Sequence, residues 1–79
     1  MLKVKIINPD KLVFEGETEY VLAPSLHGEL GIMPGHTPMF AELTRGSIHL
    51  AKPSEQSFEI EAGVLKIRAD EVTILIGLE

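Results

Sequence analysis

Three histidines and a lone loop carboxylate are the residues whose types could do chemistry in this chain: His27, Glu29, His36 and His49. A zinc site needs three or four ligands within about 2.0–2.3 Å of one ion, with a short-spaced pair set by a tight turn or a helix. His27 and Glu29 are two apart, so on a strand they share a face, and His36 could return to them from the following loop. The simpler reading makes His27 and His36 loop residues that form hydrogen bonds or partner contacts. His49, in Ser47-Ile48-His49-Leu50, then lies on the polar side of a strand, and no metal is expected.

Other catalytic arrangements fail on spacing. Ser25, Ser47, Ser54 and Ser57 lie outside any Gly-x-Ser-x-Gly elbow, and there is no cysteine to activate. The carboxylate sets Glu15/Glu17/Glu19 and Glu59/Glu61 alternate with other residues, which places each set on one solvated strand face rather than across a cleft. Gly28, Gly31 and Gly35 match neither the dinucleotide fingerprint nor the P-loop, and no helix follows them to supply a dipole. The chemistry left to the segment 28–38 is contact chemistry. Its glycines and prolines specify one turn path, and that path displays Glu29 and His36 among Leu30, Ile32 and Met33.

The elements that position these residues follow from a period of 2. Leu2-Lys3-Val4-Lys5-Ile6, Glu17-Thr18-Glu19-Tyr20-Val21-Leu22, Ser47–Leu50, Phe58–Glu61, Leu65–Arg68 and Val72–Ile76 alternate apolar with polar residues or run apolar. Breakers at Asn8-Pro9-Asp10, Glu15-Gly16, Arg45-Gly46, Lys52-Pro53-Ser54, Ala62-Gly63 and Ala69-Asp70 separate them. Short strands at this spacing predict an all-β fold, a small β-sandwich or flattened barrel forming one domain over residues 1–79. Val72–Ile76, apolar on both faces, is expected to be a central strand lying between two packed surfaces. No stretch carries the apolar spacing of a ten-residue helix.

Composition narrows the partners. At 79 residues the domain buries roughly 60–65% of its unfolded surface, which leaves little room for a deep pocket. Seven basic against twelve acidic residues give a net charge of −5, which disfavours nucleic acid and anionic lipid. Its apolar runs fall far short of the ~20 residues of a membrane helix, so no direct membrane insertion is expected. Without cysteine or a signal-peptide pattern, the chain reads as cytoplasmic.

Phe14-Glu15-Gly16-Glu17, Val21-Leu22-Ala23-Pro24 and above all Gly28-Glu29-Leu30-Gly31-Ile32-Met33-Pro34-Gly35-His36-Thr37-Pro38 resemble the epsilon subunit of F-type ATP synthase, called delta in mitochondria. Leu43-Thr44-Arg45-Gly46, Glu61–Ile67 and Val72–Leu75 extend the resemblance along the chain in order. It implies a sandwich of about ten short strands at the foot of the central stalk, a non-catalytic rotor part without cofactors that links the gamma subunit to the c-ring. It places Glu29, with Leu30, Ile32 and Met33, toward the c-ring, and Asn8, His36 and Met39 toward gamma. It also implies a peripheral position on the cytoplasmic face of the energy-coupling membrane, in a bacterium. The family's C-terminal helical hairpin, which carries inhibition of ATP hydrolysis and ATP sensing, has no counterpart before Glu79. The rival expectation, drawn from the strands alone, is a free-standing β-domain that binds a peptide or ligand at a sheet edge.

Overall fold

The computed structural model describes residues 1–53 and 55–77. Ser54, Leu78 and Glu79, which the sequence reading placed in a turn and a short tail, lie outside the described residues. The described residues form nine strands: β1 Leu2–Ile7, β2 Leu12–Thr18, β3 Tyr20–Ser25, β4 Gly28–Ile32, β5 Met39–Leu43, β6 Gly46–Ala51, β7 Gln56–Ile60, β8 Gly63–Arg68 and β9 Glu71–Ile76. The all-β sandwich expected from the alternation is what forms, with nine strands where about ten were expected.

One continuous register organises the molecule. Met39–Leu43 pairs with Gly63–Ile67, and Gly46–Leu50 pairs with Gln56–Ile60, with Leu43 opposite Gly63 and Gly46 opposite Ile60. Both pairings keep the same residue offset, so β5–β6 and β7–β8 are two long strands of a single hairpin. That hairpin bends at Thr44–Arg45 and Glu61–Ala62. Its first half extends into the layer β5-β8-β9-β1-β2 and its second half into β7-β6-β3-β4. The layers are joined along β3 by one residue pair, Ser25 with Leu43, flanked by bonds from Thr44 N–H to the Pro24 carbonyl and from Leu26 N–H to the Glu42 carbonyl.

The inward residues of both layers fill the space between them. Leu2, Val4, Ile6, Leu43, Leu65, Ile67, Val72 and Ile74 from one layer meet Val21, Ala23, Ile32, Ile48, Leu50 and Ile60 from the other. Along the side away from the β4 edge, Phe14 of β2 packs on Phe58 of β7 with ring centroids 5.6 Å apart, a tilted arrangement favoured by aromatic quadrupoles. β9 lies inside its layer, hydrogen-bonded in parallel to β1 and antiparallel to β8, as expected. It does not lie between two packed surfaces: Val72, Ile74 and Ile76 face the core, while Thr73 is exposed and Leu75 half-buried on the outer face.

The expected single strand Glu17–Leu22 is two strands, broken at Glu19. Thr18, buried to 2% exposure, explains the break: its hydroxyl lies within hydrogen-bond distance of the Ala51 and Lys52 carbonyls at the end of β6. Glu19 N–H donates toward the same two carbonyls. The chain thus crosses from one layer to the other at a polar anchor, which alternation cannot reveal.

At the bend, Gly63 has no room for a side chain. A Cβ there would lie 2.5 Å from the Leu75 carbonyl oxygen and 3.4 Å from the Ile76 Cα, both backbone atoms of the adjacent strand. Gly63→Ala is therefore expected to destabilise the fold by about 1–3 kcal/mol, read as a lower urea midpoint with an unchanged slope; an unaltered midpoint would show that the bend yields freely.

Candidate functional site

The segment 28–38 divides into an edge strand and a turn. Gly28–Ile32 forms β4, paired along its length with β3 from Ser25–Gly28 to Val21–Ile32. The expected loop is here a strand; its two glycines are tolerated because β4 is the edge of its layer and both lie at special places. Gly28 takes φ +109° at the hairpin turn, and Gly31 lies under the Tyr20 ring, whose hydroxyl would be 2.6 Å from a Cβ at position 31.

The turn that follows is held from outside. His36 N–H donates to the Met33 carbonyl, and the His36 ring Nδ1 lies 2.8 Å from the Thr37 carbonyl oxygen. Gly35, at φ +87°, donates its N–H to Asp70 Oδ1 at 2.8 Å. Asp70 belongs to the two-residue β8–β9 turn, where Ala69 (φ 49°) and Asp70 (φ 62°) both take the left-handed conformation of a tight hairpin. Its backbone carbonyl accepts the Lys3 N–H as well. One residue therefore ties β1, the β8–β9 turn and the Met33–His36 turn together. The sequence marked Ala69-Asp70 only as a breaker; nothing in its spacing announced the reach to Gly35.

The residues expected to meet partners separate into three places on the surface and one in the core. Glu29 and Leu30 lie with Met39 along a shallow groove of about 320 Å³, whose lining also includes Leu26, His27, Phe40 and Glu42. Met33 and His36 share the Asp70-bound turn at the opposite end of β4, Met33 being 60% exposed. Ile32 corrects one expectation: it is 0% exposed and packs in the core, because its inward position on β4 faces the opposite layer, so it offers nothing to a partner. Asn8 is at the other end of β1 from His36, since Lys3 adjoins Asp70 while Ile7 adjoins Leu75. Its side-chain oxygen accepts the N–H groups of Asp10 and Lys11 at 2.8 Å each, which closes the β1–β2 turn.

The groove also carries two exposed apolar side chains outside the contact set expected from the sequence. Leu26 is 57% exposed and Phe40 69%. A signal for Phe40 was present: with Met39, Ala41 and Leu43 inward, the alternation puts Phe40 on the wet phase beside Glu42, where an aromatic is out of place.

The structure does not assemble the other candidate chemistry. His27 and His36 flank opposite ends of β4, and among the described residues no three His, Cys, Asp or Glu side chains are grouped to hold a metal ion. His49, exposed on β6, pairs with the Ser57 hydroxyl across the strands at 2.8 Å. Glu15 and Glu17 stand opposite Lys5 and Lys3 on neighbouring strands, and Glu59 accepts a hydrogen bond from Ser47. These are the solvated faces of sheets.

Two strand layers around one apolar core define a small β-sandwich module. The chain belongs to the family described as the ATP synthase Delta/Epsilon chain, β-sandwich domain, which matches residues 1–77. An ATP synthase epsilon chain of Anoxybacillus flavithermus is 41% identical over 75 residues, covering 94% of this chain and 56% of the relative. The chain thus spans little more than half the length of such relatives. In fold it is similar to a chain of the Euglena gracilis mitochondrial ATP synthase (TM-score 0.88, 16% identity, 95% of this chain and 49% of that one). It is likewise similar to a chain of the Tetrahymena thermophila mitochondrial ATP synthase central stalk and c-ring (TM-score 0.78, 18% identity, 95% and 62%).

Substitutions at Gly31 and Gly35 are expected to fail for different reasons. Gly35→Ala forces an alanine into a left-handed conformation at a cost of about 1–2 kcal/mol, with open space around it. Gly31→Ala keeps an ordinary φ and must displace the Tyr20 ring. Thermal unfolding should show a loss in both, and an aromatic ring shift in the NMR spectrum only for Gly31→Ala; the reverse pattern would contradict the assignment.

Proposed function

We propose that this chain is a non-catalytic rotor part of an F-type ATP synthase, joining a gamma-type stalk subunit to the c-ring so that ion-driven rotation reaches the catalytic head. The observation that carries this reading is the family match over residues 1–77. The fold relative from the Tetrahymena central stalk and c-ring supports the location. Such a subunit sits peripherally at the cytoplasmic face of the energy-coupling membrane.

On this reading Glu29 and Met33 face the c-ring, with Ile32 removed from that set by its burial and Leu30, on the same inward face of β4, half-buried against the core, while Asn8, His36 and Met39 serve the gamma side from separate places on the domain. An exposed carboxylate such as Glu29 gains about 0–1 kcal/mol from one ion pair. Torque must therefore pass through many contacts, and the exposed apolar side chains at Leu26, Met33 and Phe40 supply area that such a joint can bury.

Cysteines at position 29 and in the polar loop of the c subunit should form a disulfide in the assembled enzyme and block rotation until reduced. If position 29 fails to crosslink while neighbouring positions succeed, Glu29 does not face the ring.

A further inference from the structure

β5 has one strand edge occupied and one largely open. Its pairing with β8 uses one side from Met39 to Leu43. On the other side β3 reaches only Leu43, with one further bond from Leu26 N–H to the Glu42 carbonyl. Because backbone groups alternate sides along a strand, Glu42 and Phe40 point their N–H and C=O groups to this open edge, and Met39, Ala41 and Leu43 point theirs to β8. Among the described residues, the N–H of Glu42 and both backbone groups of Phe40 have no strand to pair with.

This edge borders the groove. Leu30 and Met39 are inward and half-buried against the core, while Leu26 and Phe40 stand exposed at the rim. Glu29 and Glu42 flank it, neither has an ion-pair partner among the described residues, and no lysine or arginine lines the groove. Unpaired backbone, apolar floor and acidic rim share one place.

We propose that the open edge of β5 binds an extended segment of a partner chain by strand addition, apolar side chains of the guest facing Leu30, Met39 and Ala41 and basic ones beside Glu29 and Glu42. Main-chain bonds to Phe40 and Glu42 supply the pairing, and the groove and rim select alternating apolar and basic sequence. An open edge beside apolar surface otherwise invites uncontrolled association. The proposal relies on the rotor reading only for a partner to be present. Peptide pairing by a folded chain that binds neither the gamma subunit nor the c-ring would leave this inference standing and that reading fallen, and the opposite result would do the reverse.

The test is amide-resolved hydrogen exchange by NMR on the 79-residue chain, with an acetylated, amidated hexapeptide of alternating lysine and valine as the probe. At saturation the Phe40 and Glu42 amides should exchange at least tenfold more slowly while Ala41, already bonded to β8, stays unchanged. The same peptide N-methylated at every second residue should give no protection, and the double variant Glu29→Gln/Glu42→Gln should bind several-fold more weakly. Phe40→Pro, which removes an N–H on the open side only, should abolish binding. Equal protection by the N-methylated peptide would reduce the effect to charge attraction and overturn the proposal. So would unchanged exchange at positions 40 and 42. Protection of these amides that rises with protein concentration in the absence of peptide would assign the edge to a second copy and also overturn it.

Discussion

Everything in this molecule depends on one hairpin folded over on itself. The strands β5–β6 and β7–β8 keep a single register through the bend, so each layer of the sandwich is seeded by half of the same ladder. A ladder that turns back this sharply brings backbone against backbone, and position 63 is where that happens: the Leu75 carbonyl occupies the space a side chain would need. Arg45 and Glu61, whose charged groups are 3.7 Å apart across the bend, are well exposed and contribute little. Sterics and register set the corner, and charge only decorates it.

The folded hairpin also determines which surfaces are available. Phe14 on Phe58 and the Thr18 hydroxyl on the β6 carbonyls hold the layers together on the β2–β7 side. On the opposite side β4 and β5 are edges, and it is there that Leu26, Phe40, Glu29 and Glu42 are displayed. At the end of β4 the Asp70 carboxylate fixes the Met33–His36 turn on a rigid two-residue hairpin. These side chains are thereby mounted on paired strands and a bonded turn rather than on a free loop.

Much of this was legible in the sequence because burial on one face imposes period 2. The core residues Leu2, Val4, Ile6, Leu65, Ile67, Val72 and Ile74 could be named from alternation alone, and the central place of β9 from its apolar run, although only one of its faces is packed. Long-range geometry was not legible. The break at Glu19 depends on a hydroxyl meeting carbonyls more than thirty residues away, and the Gly35–Asp70 bond spans 35 positions. The sequence reading grouped Asn8 with His36 and Glu29 with Met33 by resemblance. The folded strands set them apart, because residues at successive positions of a strand are carried about 3.3 Å each toward opposite ends of the layer. Ile32 fell on the wrong side of the contact set for a related reason: in an edge strand the phase of alternation, not the presence of glycines, decides which apolar residue is spent on the core.

The central claim is that this sandwich is a mechanical joint between two other subunits. Native mass spectrometry of the chain mixed with the gamma subunit of the same organism tests it most directly. The account predicts a one-to-one complex that survives dilution to micromolar concentration and that also captures the c-ring when the ring is added. A correctly folded chain that stays free in the presence of both would contradict it.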